Sequence, residues 1–252
     1  MAQPNVAEAH SKEEVLAVEA ASYDRRFGGR GAKEILRIAI NDLFKGQITL
    51  VSSFGADSSV LLHLVSEIDR DIPVVFVDTG KLFGETKRYR DELIEKLGLR
   101  NVVSVKPAPE DLAVYDPKGN LWLSDNDQCC HIRKVLPLKR ALSDFDAWIS
   151  GRKRHQSATR SSLPFFEVDE GRIKVNPLAD WTATEILQYA KDHDLPPHPL
   201  VAEGYPSIGC MPCTDKVAPG EDPRSGRWRG MNKIECGIHL PSHGQQVDGS
   251  GI

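Results

Sequence analysis

Short apolar runs recur through the middle of the chain and are separated by polar or amphipathic segments. The runs at residues 47–51 and 73–77 are rich in β-branched residues, and the second is apolar throughout, as in a buried parallel strand. Two further runs follow the same pattern at residues 101–105 and 147–150. The pattern therefore predicts at least four strands in the central part of the chain.

The segments between these runs have the spacing of helices. Residues 57–68 bring Val60, Leu61 and Leu64 to one face, and residues 85–97 are amphipathic and end at Gly98, a suitable C-cap. Later in the chain, Thr182 and Glu185 form a capping box before another apolar stripe. Alternating strands and helices predict an α/β fold, with a parallel or mixed sheet covered by helices on both faces.

The distribution of polar and flexible residues divides the chain into three parts. Residues 1–45 are predicted to be a helical lead-in, and residues 46–200 a nucleotide-binding α/β domain. From about residue 196 the chain becomes rich in Pro, Gly and charge, so residues 201–252 are predicted to be an irregular C-terminal segment with a flexible tail.

Composition narrows the class of protein. The chain has 252 residues, of which 40% are hydrophobic and 27% charged, and this excludes a disordered or collagen-like protein. No stretch approaches 18 consecutive apolar residues, and the N-terminus lacks the basic and apolar regions of a signal peptide. We therefore expect no membrane association and a cytoplasmic location.

Charge is unevenly distributed around a net value of −4. Residues 129–160 hold eight basic and two acidic side chains, whereas the rest of the chain is neutral or acidic. Such a patch attracts an anion. A nucleic-acid binder is usually basic throughout, so a small polyanionic ligand is the better interpretation. A solvated basic helix face explains the charge about as well.

A polar segment, S-S-F-G-A-D-S-S at residues 52–59, follows the first predicted strand and opens a helix. Backbone N–H groups at a helix start, together with Ser hydroxyls and a Gly, suit phosphate. The alternative is an ordinary Ser or Asp N-cap, and the segment alone does not decide between them. The next strand ends in V-D-T-G at residues 77–80, so two polar loops follow neighbouring strands.

The first loop resembles the pyrophosphate loop of the adenine-nucleotide alpha-hydrolase superfamily. ATP pyrophosphatases of that superfamily usually carry S-G-G-x-D-S, and this chain has Phe54 in place of the first Gly. The resemblance implies an adenine nucleotide, while the Phe argues against cleavage of ATP.

Four of the five cysteines occur in pairs, Cys129-Cys130 and Cys210-x-x-Cys213. Paired cysteines in a reducing compartment indicate a metal site. Zinc sites usually use two C-x-x-C knuckles, whereas adjacent cysteines splay their side chains and suit a larger cluster. From chemistry alone, zinc and a [4Fe-4S] cluster remain about equally favoured. Cys236 stands apart, and it is either a nucleophile or a free surface thiol.

Together these features resemble the assimilatory sulfonucleotide reductases. E-C-G-I-H at residues 235–239 resembles their E-C-G-[IL]-H motif, and the two cysteine pairs match the iron–sulfur subgroup, the adenylyl-sulfate (APS) reductases. The D-T-G loop followed by Glu85-Thr86 resembles a family segment, as does G-R-K-R-H-Q-S-A-T-R at residues 151–160. The match runs from about residue 46 to 240 with its motifs in order.

The resemblance implies the reduction of APS by thioredoxin to sulfite and AMP, with Cys236 as the nucleophile that forms an S-sulfocysteine. It implies a [4Fe-4S] cluster on Cys129, Cys130, Cys210 and Cys213, with an electrostatic and structural role and with Lys134 linking it to the substrate. It implies two sets of substrate contacts. The nucleotide-loop set is Ser53, Gly55, Asp57, Ser58 and Thr79, and the cationic set is Lys134, Arg160, Arg224, Arg227 and His239.

Two other functions stay open. A reductase of the 3'-phosphorylated substrate (PAPS) would use the same chemistry with another phosphate pocket, and an ATP pyrophosphatase-type ligase would share only the loop. Plant-type relatives carry a thioredoxin-like domain after the nucleophile, whereas 16 residues follow Cys236 here, so the expected reductant is a separate protein. Whether the chain forms a homo-oligomer is left open.

Overall fold

The structure, a computed structural model, describes residues 6–231, 233 and 235–239, with side chains from residue 12 onward. Its centre is a six-stranded sheet of order β3-β2-β1-β4-β6-β5. The strands are β1 (Ile48–Val51), β2 (Val74–Val77), β3 (Val102–Val105), β4 (Ala147–Ile149), β5 (Phe166–Asp169) and β6 (Arg172–Val175). All neighbouring pairs are parallel except β5 and β6. The predicted α/β class and the four predicted strands are confirmed.

The helices lie between the strands and at both ends of the described chain. They are α1 (Val6–Phe27), α2 (Ala32–Ile38), α3 (Ser58–Ser66), α4 (Gly84–Leu97), α5 (Pro109–Tyr115), α6 (Leu121–Ser124), α7 (Asn126–Cys130), α8 (Leu136–Ala141), α9 (Ala183–Asp192) and α10 (Pro199–Ala202). Helix α7 continues through a π-helical turn, His131–Val135, into α8. Short 3₁₀ turns cover Arg154–Gln156, Ala158–Arg160, Met211–Cys213 and Gly237–His239.

Both faces of the sheet are covered, because successive side chains of a strand point to opposite faces. On one face, Leu50 and Phe76 belong to a large buried cluster that includes residues of α2, α3, α4 and α9. On the other face, Val75 and Trp148 pack against Leu138 and Leu142 at α8. The capping signals are also confirmed, since Gly98 has φ 63° and the Thr182–Glu185 capping box is formed.

The β5–β6 hairpin is a feature that the apolar pattern did not predict. Its two turn residues, Glu170 and Gly171, both have positive φ, as a type I′ turn requires. Glu is an unusual residue at the first of these positions, so the turn signal in the sequence is weak. The Asp24 carboxylate of α1 accepts hydrogen bonds from the backbone N–H groups of Phe165 and Phe166, so the N-terminal helix is joined to this edge of the sheet.

The division into segments at residues 45/46 and 200/201 stays a prediction, and the tail predicted to be flexible lies largely outside the described residues. Among the described residues, no helix has the length and apolar character needed to cross a bilayer.

Candidate active site

Polar loops leave the carboxyl ends of β1, β2 and β4 and lie together there. The strand order of the sheet reverses between β1 and β4, at the same place. Open parallel sheets bind ligands in this position. The loops border a cavity of about 620 Å³, a volume suited to a nucleotide-sized ligand. All of the predicted substrate contacts line it with the predicted nucleophile: Ser53, Gly55, Asp57, Ser58, Thr79, Lys134, Arg160, Arg224, Arg227, His239 and Cys236.

The loop after β1 contains a strained residue at the position where the resemblance expects glycine. Phe54 has φ 48°, a left-handed conformation that costs a non-glycine residue roughly 1–2 kcal/mol. Its ring is fully buried edge-on against Phe76, with 5.4 Å between ring centroids, and this burial offsets the strain. The Ser52 hydroxyl accepts a hydrogen bond from the Phe54 N–H at 3.2 Å. Phe54 therefore adopts a backbone conformation that glycine would adopt without strain.

Asp57 precedes α3, but its side chain makes no capping hydrogen bond. Its Oδ2 instead accepts a hydrogen bond from the Nζ of Lys153 at 3.1 Å. Lys153 belongs to the loop after β4 and is almost completely buried. The simple N-cap interpretation of this aspartate is therefore wrong for its side chain.

The loop after β2 connects the nucleotide loops to the cysteines. The Thr79 hydroxyl lies 3.3 Å from the Sγ of Cys210, and the backbone N–H of Met211 donates to the carbonyl of Lys81 at 2.8 Å. Arg133 follows Cys129-Cys130 closely in the sequence and is buried. Its guanidinium donates a hydrogen bond to the carbonyl of Thr79 at 2.8 Å and forms an ion pair with Asp116. Both cysteine pairs are thereby held against the same loop.

The two cysteine pairs converge. All four thiols are buried and reduced, and they line one small cavity with Trp122 and Lys134. Burial raises the pKa of Cys129 to about 11 and also raises the pKa of Cys213. No group of three or more His, Cys, Asp or Glu side chains in the described part of the chain is arranged to hold a metal ion. The metal site therefore stays a prediction, supported by the convergence of the four thiols.

Cys236 lies outside this set and is half-buried. The Nζ of Lys134, which borders both cavities, is 3.8 Å from its Sγ. The pKa of Cys236 is well below its ordinary value, first because the Cys130 thiol hydrogen-bonds to it and also because Lys134 and Arg227 place positive charge nearby. Burial acts in the opposite direction but does not prevail.

Glu235, the residue before Cys236, carries a buried carboxylate that joins the cationic residues to Cys236. Oε2 of Glu235 accepts hydrogen bonds from Arg160, with contacts of 2.8 and 2.7 Å. Its Oε1 accepts from the backbone N–H of Cys236 at 2.8 Å and lies 3.7 Å from Arg224. The position of Cys236 is therefore coupled to two of the arginines that were predicted to bind substrate.

Arg227 is fixed by its neighbours but keeps unused hydrogen-bonding capacity. Its guanidinium lies over the Trp228 ring, 4.4 Å from the centroid, and packs against Gly209, where a side chain would collide with it. Nη1 donates to the Ile208 carbonyl at 3.4 Å, while the buried Nε has no partner among the described residues. An oxyanion in the cavity would satisfy such a donor.

His239 stacks on Trp148, with the two rings nearly parallel and 6.3 Å between centroids. Burial, followed by the charges of Lys174, Arg152 and two further arginines, lowers its pKa well below the ordinary value. The ring is therefore neutral, and within the described structure its buried Nδ1 has no partner. A neutral imidazole adds no positive charge, so its contact with a ligand would be a hydrogen bond or packing.

Several cavity residues were absent from the predicted site. Arg152 and Lys153 lie inside the motif at residues 151–160 and line the cavity. The motif could therefore have predicted them, but only its Arg160 was included in the predicted site. Glu235 belongs to the E-C-G-I-H motif in the same way. His198 belongs to no recognised motif. Its position is fixed by a hydrogen bond between its Nε2 and the Thr86 hydroxyl at 3.1 Å, a partner that is 112 residues away in the sequence.

Comparisons with known proteins identify sequences similar to this chain. Residues 47–216 match the family described as the phosphoadenosine phosphosulfate reductase domain. A protein from Chelativorans sp. (strain BNC1) named adenosine 5'-phosphosulfate reductase is 52% identical over 225 residues, which cover 89% of this chain and 92% of that protein. A protein of the same name from Shouchella clausii is 42% identical over 235 residues, covering 90% of this chain and 96% of that protein.

Solved structures support the fold. The phosphate complex of phosphoadenylyl-sulfate (PAPS) reductase from Candida auris superposes with a TM-score of 0.67 and 25% identity, covering 79% of this chain and 96% of that one. Yeast FAD synthetase, at 15% identity and a TM-score of 0.52, covers 82% of this chain and 75% of its own and shares the fold alone. The predicted fold class is confirmed.

Proposed function

This chain belongs to the phosphoadenosine phosphosulfate reductase family, and we propose that it catalyses the thioredoxin-dependent reduction of APS to sulfite and AMP. The name shared by its relatives from Chelativorans and Shouchella supports APS as the substrate. The observation that carries the proposal is the convergence of Cys236, Lys134 and the arginines in one cavity with the phosphate loop. We assign the reaction to cytoplasmic sulfate assimilation towards cysteine.

In the first step, the Cys236 thiolate attacks the sulfur of APS. An S–S bond forms between Cys236 and the sulfonate, the sulfur–oxygen bond to the phosphate breaks, and AMP leaves with the bonding pair. Covalent catalysis of this kind divides a difficult transfer into two easier ones. Lys134, 3.8 Å from the attacking sulfur, stabilises the thiolate and lowers the repulsion between two anions.

In the second step, a thioredoxin thiolate attacks the Sγ of Cys236 and releases sulfite, which keeps the electron pair of the S–S bond. The second thioredoxin thiol then resolves the mixed disulfide and regenerates Cys236. The dithiol supplies both electrons that reduce the sulfate sulfur to sulfite, so the electron balance is complete without another donor.

The cationic residues would hold the phosphosulfate group during the first step. Arg160 and Arg224 contact the carboxylate of Glu235 at the wall of the cavity, and this concentration of cations supports the binding of an anion beside them. Within the described part of the chain the Nε of Arg227 has no hydrogen-bond partner, and Ser53, Gly55 and Ser58 would receive the 5'-phosphate through hydroxyl and backbone N–H groups. Fixed donors of this kind stabilise the charge that shifts onto AMP.

Cys129, Cys130, Cys210 and Cys213 fit the role of ligands for a [4Fe-4S] cluster. Four reduced, buried thiols line one cavity, and Asn126 donates a hydrogen bond to the Sγ of Cys213 at 3.1 Å. When bound, the cluster would supply a fixed electrostatic and structural centre. A ligating Cys130 has no proton to donate, so Lys134 and Arg227 are the groups that would keep Cys236 ionised in the holoenzyme.

The experiment that tests this function compares APS and PAPS as substrates with thioredoxin as the reductant. We expect kcat/KM for APS to exceed that for PAPS by at least about tenfold, or roughly 1.4 kcal/mol. The match to the Candida auris PAPS reductase keeps PAPS as the second candidate. Equal turnover, or faster turnover of PAPS, would assign the chain to that activity instead.

A further inference from the structure

The loop expected to bind phosphate contains a carboxylate, Asp57, that is unfavourable beside an anion. Its side chain is 43% exposed and lines the cavity with Ser53 and Ser58. Like charges at contact distance in a partly desolvated site repel each other more strongly than in bulk water. A phosphate could therefore bind strongly here only if the carboxylate is neutralised.

Lys153 provides that neutralisation from a different part of the chain. Its side chain is 2% exposed, and its Nζ donates to Oδ2 of Asp57 at 3.1 Å and to the carbonyl of Gly151 at 3.2 Å. Burial lowers the pKa of Lys153, and the Asp57 carboxylate acts in the opposite direction by favouring the ammonium. An ammonium has three protons, so these two acceptors leave one that could be donated to a ligand.

The arrangement is comparable with the way proteins hold Mg²⁺ beside phosphates. Mg²⁺ is usually bound by one or two carboxylates together with the phosphates of the substrate. Asp57 has the position of such a carboxylate, at the start of a helix in a phosphate loop, yet one of its oxygens already accepts from the buried lysine. The lysine thus occupies the place of the cation.

We propose that Lys153 is the built-in counter-cation of the phosphate loop, so that the nucleotide 5'-phosphate binds without a divalent metal ion. Lys153 is a positioning and charge-compensating residue that allows Asp57 to remain in the loop. The proposal deepens the proposed function and rests on it in one respect, the binding of the 5'-phosphate at residues 53–58.

The test uses AMP, the expected product, and measures its dissociation constant by calorimetry in EDTA and in millimolar Mg²⁺. The purified full-length protein is compared with Lys153→Met, Asp57→Asn and the double variant. Lys33→Met is the matched control, because Lys33 is an exposed lysine of α2 whose Nζ lies 3.9 Å from Oε2 of Glu67.

For the wild type and the control, AMP affinity should be the same in both buffers. Lys153→Met should bind AMP at least about tenfold more weakly in EDTA, because Asp57 is then uncompensated. Mg²⁺ should restore most of the loss. The double variant, which has neither charge, should recover affinity in EDTA and respond little to Mg²⁺.

Each contrary result has a distinct meaning. Wild-type binding that requires Mg²⁺, or a Lys153→Met variant with normal affinity in EDTA, would overturn the inference alone. A loss in Lys153→Met that neither Mg²⁺ nor Asp57→Asn repairs would also overturn it, by making the lysine an ordinary ligand. If Lys153→Met does not fold, Asp57→Asn decides, since the proposal requires it to bind AMP in EDTA at least as tightly as the wild type. A wild type that binds no AMP in either buffer would overturn the proposed function as well.

Discussion

The two sides of the cavity are built in different ways. On the nucleotide side, the loops after β1, β2 and β4 leave adjacent strands whose register is fixed by parallel ladders, such as Leu50 opposite Val74 and Ile149. On the thiol side, the segment from Cys210 to His239 contains only short 3₁₀ turns and isolated bridges among its described residues. The first side takes its geometry from the sheet, and the second from individual contacts.

Individual bridges and ion pairs hold the thiol side in place. Isolated bridges join Leu82 to Cys210 and Thr214 to Arg227. Ion pairs join Glu235 to Arg160 and Lys233 to Asp127. Regions held by scattered contacts open at lower free energy than core strands. We therefore expect the nucleotide side to be the more rigid surface and the segment that carries Cys236 to adjust more readily.

The largest expected effect distinguishes Cys236 from the four paired cysteines on the thiol side. Cys236→Ser should abolish sulfite release, because the hydroxyl is a far weaker nucleophile, while the iron content and AMP binding remain. Sulfite assays and iron analysis of the same preparation check this. Loss of the iron chromophore in this variant would mean that ligand and nucleophile have been exchanged.

The next effect concerns the four paired cysteines. Replacing Cys129, Cys130, Cys210 or Cys213 by Ser should lower iron content and activity together, and solubility should fall because metal binding contributes folding free energy. Iron analysis, absorbance and turnover are compared across the four variants. Full activity in an iron-free preparation would eliminate the cluster from the account.

A smaller effect is expected for Arg227. Arg227→Ala should weaken APS binding by about 10- to 150-fold, equivalent to roughly 1.5–3 kcal/mol for a hydrogen bond to a charged group. Arg227→Lys should lose less, because it keeps the charge without the planar fork. Arg229→Ala is the control, since Arg229 pairs with Glu221 at the surface. Wild-type affinity in Arg227→Ala would show that neither charge nor hydrogen bonding at residue 227 contributes to APS binding.

The smallest expected effect is on stability and concerns His198, a buried residue that lines the cavity. Burial lowers the pKa of His198 to about 4, against a weak opposing effect of Glu85. In the unfolded chain His198 binds a proton as the pH falls through 6.5, whereas in the folded chain it stays neutral down to about pH 4. The free energy of unfolding should therefore decrease as the pH falls over this window. The slope from this group is at most about 1.4 kcal/mol per pH unit.

The His198→Asn variant isolates that contribution. Asn can accept the capping hydrogen bond from the N–H of Leu200 that His198 Nδ1 now accepts. Its free energy of unfolding should therefore decline less steeply between pH 6.5 and 4 than that of the wild type, as measured by denaturant titration. Identical slopes would remove His198 from the pH dependence.

The same contrast explains what the sequence could predict. The strands β1 to β4 and the capping box depend on neighbouring residues, so their local pattern was sufficient. The cysteine pairs and Cys236 were recognised from motifs. The pairs Lys153–Asp57 and Arg160–Glu235 join positions 96 and 75 residues apart, and no local pattern specifies such partners. The hairpin of β5 and β6 was missed because its turn lacks the usual Asn-Gly.

The central claim is that Cys236 takes the sulfonate from APS before any reductant acts. Single-turnover mass spectrometry without thioredoxin tests it most directly. The account predicts a mass increase of roughly 80 Da, one SO₃ group, on the peptide that contains Cys236, with one equivalent of AMP released. Release of sulfite and AMP without that adduct, or an adduct on one of the paired cysteines, would contradict it.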